Sequence, residues 1–339
     1  MAVSKDIIDI LEAAYRVELD GQPWIEGVLD AALPHMMRGS GVAAYEYDAS
    51  DVSRMRVTHV AHHGMPEPMS TQGFVQVIET ADAEYVRNTW RSLPCALASA
   101  TPGVERQPGW AAVRAVGVVD ILAINGVDPS GIGCWVGALL PKPLRLGEKM
   151  RLKWGRVAAH LAAGLRLRRR LAAGRKERID LTSGADAILE PGGKVQHAEG
   201  EATDADARRA LHDAAVALER ARGSLRRRDP DEAVAEWKGL IEVRWSLVDH
   251  FESDGRRYLV ARRNEPEAAP FDRLSARERQ VVSYASFGHS NKLIAYELGI
   301  SHATVRVLMA RAATKLGVKT RDELARLVAA SLEKAGKGG

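Results

Sequence analysis

The chain has 339 residues, 46% hydrophobic and 27% charged, which suits two or three soluble domains with real cores. Its 48 Lys+Arg against 44 Asp+Glu leave a net charge of +4, so an anionic partner is permitted and the location of the charge matters more than its sum. Cys95 and Cys134 are too few and too far apart for a disulfide framework or a thiolate zinc site, and no run approaches the roughly 18 uninterrupted apolar residues of a membrane helix. The opening MAVSKDIIDILEAAYRVELDG alternates apolar and charged residues and lacks a secretory core, so a cytoplasmic protein without membrane contact is expected.

The first region opens with helical spacing at Ile7, Ile8, Leu11, Ala14 and Tyr15, continued by Trp24, Val28 and Leu29. Alternating segments at 42–47 and 55–62 predict two strands, turned at 48–51. A helical middle containing Trp90 and Trp110 leads to strands at 118–127 and 132–140, joined by Asp128, Pro129, Ser130 and Gly131. A helix over 147–171 closes the region, with Met150, Trp154, Val157, Leu161 and Leu165 on one face. Its basic end, RLRRRL, reads either as a solvated helix terminus, where cations interact favourably with the dipole, or as a signalling or dimerising helix leaving the domain. Helix, two strands, helical middle, two strands and terminal helix, with the hairpin VDILAINGVDPSGIGCWVGALLP, resemble a GAF-type sensor domain. The resemblance implies a pocket for a small molecule or partner on one sheet face, and dimerisation.

The middle region, 180–264, begins with ADAILEPGGKVQHAEG, turned at Pro191, Gly192 and Gly193. Helices are predicted over 205–222, with Leu211, Ala214, Ala215 and Leu218 on one stripe, and over 231–241 after Asp229-Pro230. RWSLVDHFESDGRRYLVARR then presents a hairpin about Asp254-Gly255, and the whole resembles a small PAS-like domain. EPEAAP opens a linker, 265–272.

In the last seventy residues Ser275 and Glu278 form the S-x-x-E of a capping box, and the helix it starts ends at Gly288. Ser290 caps a second helix, which carries Leu293, Ile294 and Leu298 and stops at Gly299. Ser301, with Thr304 at its third helical position, caps a third, and Thr320 a fourth. Four short helices with a glycine-containing turn between the second and third make a helix-turn-helix. Between 274 and 324, eight Lys/Arg face four Asp/Glu, so this end alone has the net excess of the whole chain.

LSARERQVVSYASFGHSNKLIAYELGISHATVRVLMARAATKLGV closely resembles the DNA-binding domain of LuxR-type transcription regulators. The resemblance rests on Leu274-Ser275, Arg277-Glu278, Gly288, Ser290-Asn291-Lys292, Ile294-Ala295, Leu298-Gly299-Ile300-Ser301, Thr304-Val305-Arg306 and Lys315-Leu316-Gly317-Val318. It implies that the helix after Ser301 enters the major groove. Arg306 stands where the family usually has a lysine, and could hold guanine O6 and N7 with two hydrogen bonds. Val307 suits a thymine methyl; Lys292, Ser301, Thr304, Arg311 and Lys315 are expected on phosphates, while Val305, Leu298 and Ile300 pack the core. Leu308 and Ala312 replace the histidine and large aliphatic residue common in the family, so either Leu308 and Met309 compensate the packing or the specificity is unusual.

Other motifs carry no chemistry. His59, His62 and His63 alternate faces of a strand and lack a carboxylate or thiolate at ligand spacing, so they read as a solvated strand end. Gly131, Gly133 and Gly137 fail the dinucleotide pattern. No phosphate loop, G-x-S-x-G or H-E-x-x-H occurs, and the alternating strands and helices of a phosphorylated receiver are missing. The tryptophans, five of them before residue 155, read as core or as the lining of a ligand pocket.

The expected fold is multidomain α+β: a GAF-like sensor over 1–172, a PAS-like domain over 180–264, the linker 265–272, and an all-α tetrahelical helix-turn-helix over 273–335. The expected function is sequence-specific transcription regulation without enzymatic activity, metal or cofactor. Double-stranded DNA, a second copy of the chain, a small-molecule effector and RNA polymerase are the partners considered. The alternative is a signalling adaptor whose helix-turn-helix has lost DNA recognition.

Overall fold

A computed structural model describes residues 6–37, 41–66, 71–173, 181–242, 244–251, 255–266 and 271–336. Asp254 of the second hairpin and positions 267–270 of the linker lie outside them. The first half contains α1 (Ile8–Ala14), α2 (Gly21–Met36), β1 (Val42–Asp48), β2 (Arg56–His63), α3 (Thr71–Glu79), α4 (Ala83–Thr89), β3 (Cys95–Leu97), α5 (Pro108–Ala115), β4 (Asp120–Val127), β5 (Ile132–Leu140) and α6 (Glu148–Ala172). The strands form an antiparallel sheet in the order β2-β1-β5-β4-β3.

The central strands are buried on both faces, and the period of two assigns each face its own core. From β1 and β5, Val42, Ala44, Cys134, Val136 and Ala138 join Trp24, Val28, Trp154 and Leu161 on the side of α2 and α6. Ala43, Tyr45, Tyr47 and Trp135 point the other way, to Trp90 and Ile78. Close approach of α6 to β4 requires Gly126, where a Cβ would lie 2.6 Å from the carbonyl oxygen of Ala158. The face away from α6 encloses a cavity of about 570 Å³ walled by Tyr45, Phe74, Tyr85, Trp90, Trp110 and Trp135. Three of the five early tryptophans thus line a cavity, while Trp24 and Trp154 belong to the opposite core.

The middle region contains β6 (Ala187–Leu189), β7 (Val195–Ala198), α7 (Ala205–Arg222), α8 (Ser224–Arg228), α9 (Pro230–Glu236), β8 (Trp245–Phe251) and β9 (Arg257–Arg263). Its antiparallel sheet runs β7-β6-β9-β8. Leu189, Leu211, Leu218, Trp237, Trp245 and Leu259 belong to the same contiguous hydrophobic cluster as α1 and α6. Arg226, in the middle of α8, holds Asp6 and Asp9 at 2.6 and 2.5 Å, tying this region to the start of α1.

The basic end of α6 is neither a plain solvated terminus nor a helix leaving the domain. It runs over the sheet, where two buried carboxylates require cations. Arg166 donates to Asp128 at 2.5 Å and to the backbone carbonyl and side-chain oxygen of Asn264, both at 3.0 Å. Arg168 pairs with Glu46, and its guanidinium lies 5.1 Å from the Trp24 ring centroid. Arg169 and Arg170 remain exposed. Removing one partner of such a buried pair typically costs about 3–5 kcal/mol, because the other charge is left uncompensated. In the histidine run, His59 lies 3.3 Å from Glu46 and His62 2.8 Å from the Thr71 hydroxyl.

Candidate nucleic-acid interface

Helices α10 (Ala276–Ser286), α11 (Asn291–Leu298), α12 (His302–Leu316) and α13 (Arg321–Gly336) form the C-terminal module. Each start is capped as the sequence requires. The Ser275 hydroxyl accepts from the Glu278 amide at 3.3 Å, while the Glu278 carboxylate accepts from the Ser275 amide at 2.7 Å. Ser290 accepts from the Leu293 amide, Ser301 from that of Thr304, and Thr320 from that of Glu323. Gly299 ends α11 in the left-handed region (φ 62°), and α11 meets α12 at 107°, within the range of a helix-turn-helix.

Inside the module, Ile294, Leu298 and Val305 pack with Val281 and Tyr284, and Ile300, Leu308 and Met309 lie against them. Ala312 is fully buried among Leu274, Val282, Leu324 and Val328. Small size at 312 is therefore matched by the aliphatic residues around it, with Met309 touching both clusters.

The outward side of α12 is open. Ser301, Thr304, Arg306, Val307 and Arg311 are exposed, as is Lys292 at the start of α11. Helical spacing sets Thr304, Val307 and Arg311 in one row and Arg306 on the other flank, with Ala303 and Ala310 between them. The result is a slim ridge with a cation on each side. Lys315 continues the first row, yet its ammonium donates to both oxygens of Glu278, at 2.9 and 2.6 Å. That bond, together with the Ser275 amide, holds the Glu278 carboxyl below its usual range. The sequence reading missed this pairing, although the capping box already placed a carboxylate at 278.

The module is held to the rest of the chain by other faces. The Tyr296 hydroxyl on α11 lies 2.6 Å from Nε2 of His160 on α6 and donates toward the carbonyls of Val234 and Trp237, at 2.5 and 2.6 Å. Nδ1 of His160 lies 3.1 Å from the Tyr15 hydroxyl. Burial drives the His160 pKa down to about 3, so the ring is neutral, and a proton on Nε2 satisfies every neighbour. Gly299 sits on the backbone of Leu240, where a Cβ would fall 2.0 Å from the carbonyl oxygen. Phe287 enters the sheet-side cluster of Tyr45, Trp90 and Trp135, and Arg166 reaches the Tyr284 hydroxyl. No sequence motif marked these contacts.

Residues 272–328 match the family model described as bacterial regulatory proteins, luxR family. The chain is 48% identical over 54 residues to the transcriptional regulatory protein FixJ of Azorhizobium caulinodans. The match covers 16% of this chain and 26% of FixJ, so it spans about a quarter of that relative's length. Among solved structures, SdiA of Escherichia coli aligns over 86% of this chain and 84% of its own, at 12% identity and a TM-score of 0.28. SdiA in complex with octanoyl-rac-glycerol aligns over 95% and 88%, at 13% identity and a TM-score of 0.25. Among the described residues no single helix is long and apolar enough to cross a membrane.

Proposed function

We propose that the chain is a sequence-specific DNA-binding transcription regulator whose C-terminal helix-turn-helix reads the major groove. The observation that carries this reading is the open ridge of α12, capped at Ser301 and flanked by Arg306 and Arg311, inside the segment that matches the luxR family model. Arg306 and Val307 read base edges. Lys292, Ser301, Thr304 and Arg311 take phosphates, helped by the positive end of the α12 dipole, and Lys315 adds a charge nearby. Dimers on two half-sites about one helical turn apart follow from the motif class.

The preceding regions serve as the sensory part. A GAF-like assignment for 1–172 is supported by the five-stranded sheet with its aromatic cavity, which suits a small-molecule effector. A PAS-like assignment for 180–264 is supported by the four-stranded sheet flanked by α7 to α9.

Selection from a random DNA pool tests the function. A palindromic consensus, bound with an affinity that falls steeply with salt, is expected and would exclude the adaptor reading. Purified protein that retains no DNA even at low salt would sink the proposal.

A further inference from the structure

The cavity in the first sheet has a definite chemistry. Its walls are aromatic rings and alanines, including Ala96, Ala112 and Ala123. Several wall polar groups are bonded to one another, while the buried Trp135 indole nitrogen has no partner among the described residues. Asn125 accepts from the Tyr47 hydroxyl at 2.6 Å and donates to the carbonyl of Trp90 at 3.0 Å, while the Trp90 indole donates to the Tyr45 hydroxyl at 2.9 Å. Burial pushes the Tyr45 and Tyr85 hydroxyls up, which keeps both neutral. Among the described residues, one charged side chain borders the cavity, that of Arg151, which comes from the exposed start of α6 beside the edge strand β3, although the rest of that helix packs on the other face of the sheet. Its Nε donates to the Leu146 carbonyl at 3.2 Å, and among the described residues no carboxylate pairs with it. An apolar space of about 570 Å³ walled by aromatic rings, with one cation at its border, suits a planar aromatic body that can stack on those rings and bears a single anionic group.

The same cavity shares a wall with the C-terminal module. Thr89, Trp90, Ser92 and Leu93 line the cavity from within. On the outer side of this segment, Arg91 lies 5.8 Å from the Phe287 ring centroid, and Leu93 abuts Gly288, in the turn between α10 and α11. Phe287 itself is buried in the cluster of Tyr45, Trp90 and Trp135, all three of which are cavity wall. An occupant that moves Trp90 or Leu93 therefore meets the module one residue layer away.

We propose that the cavity binds planar aromatic anions, with the acid group at Arg151, and that the helix-turn-helix module senses occupancy through residues 89–94 and Phe287. The regulatory meaning rests on the DNA-binding reading above, whereas the site and its coupling to the module do not. A ligand shifts an equilibrium only by its differential affinity for the two states, and such couplings commonly amount to about 5- to 150-fold.

The test uses the full chain and two fluorescent probes that differ by one sulfonate, 1-anilinonaphthalene-8-sulfonate and N-phenyl-1-naphthylamine. The sulfonate should bind at one site, roughly tenfold tighter than the neutral amine. Ala123→Phe should abolish binding of both, and Arg151→Gln should erase the difference between them. Binding that survives Ala123→Phe overturns the site, and equal affinities in the unaltered chain overturn the anionic class. Phe287→Ala should change the sulfonate's affinity by about fivefold or more, with Phe287→Leu restoring most of it. Should Phe287→Ala lose cooperative unfolding, Phe287→Leu alone is read, and a shift of twofold or more is expected. An unchanged affinity in the variant read overturns the coupling. By reciprocity, saturating sulfonate should shift affinity for a selected operator by a matching factor, and no shift overturns the sensing role. A chain that passes the probe tests but retains no DNA refutes the DNA-binding reading and leaves the coupled site standing. The reverse pattern refutes the site alone.

Discussion

Arg306 and Lys315 are both cations on α12, and the structure gives them different environments. Arg306 is exposed on the flank of the ridge, so Arg306→Ala should cost about 1–3 kcal/mol of operator binding and relax preference at one base, with little change in random-DNA affinity. Parallel losses on operator and random DNA in a binding titration would contradict that role. Lys315 is bonded to the capping carboxylate of Glu278, so Lys315→Ala should weaken all DNA alike and also lower the module's stability by roughly 1 kcal/mol. Thermal unfolding that is unchanged by the substitution would show the ion pair to be idle. At this scale the caps and the exposed candidates were legible, because both depend on neighbours within four residues. The Lys315–Glu278 bond was not, since it spans 37 positions of chain. The misfit at Ala312 is resolved by packing partners from α10 and α13, which helical spacing along α12 alone cannot show.

Helices with signals at both ends and strands with clean alternation were readable within a residue or two, whereas the helix predicted over 231–241, with a start signal alone, stops at Glu236. The predicted strands at 42–47 and 132–140 correspond to β1 (Val42–Asp48) and β5 (Ile132–Leu140), and the predicted helix over 147–171 to α6 (Glu148–Ala172). What α6 packs against was not readable, because arginine in a terminal turn carries the same local pattern whether it meets solvent or a buried carboxylate. The turn between α11 and α12 combines two constraints at one position. Gly299 needs the left-handed region, costing about 1–2 kcal/mol for other residues, and it also touches the Leu240 carbonyl. Gly299→Ala should therefore leave the secondary structure of the module intact while driving it off the Leu240 backbone. Small-angle scattering of the full chain should show a larger radius of gyration, and an unchanged radius would refute the contact.

Across the whole molecule, α6 is packed by all three regions: it meets the sheet, α1 and α9, and it faces α11 through His160. The His160 pKa lies below its unfolded value near 6.5, so the stability of this neutral cluster is complete above about 6.5 and declines as pH falls toward about 3. Tyr15, Trp237 and Tyr296 surround the ring, and Arg156 nearby also opposes its protonation. Chemical denaturation of the intact chain should show this acid loss, and His160→Gln should flatten it; superimposable pH profiles would sink the assignment. A cluster joining positions 15, 160, 237 and 296 leaves no local trace in sequence, which is why the docking surface stayed invisible there. The residues that dock the module, Phe287, Tyr296 and Gly299, sit on faces that α12 does not use for its ridge. The exposed ridge and the contacts that hold the module are thus on separate surfaces. Grafting residues 272–328 onto a foreign sensor should carry the operator preference across intact, while the graft should answer to no signal until the acceptor supplies counterparts of residues 89–94, His160 and the Leu240 carbonyl.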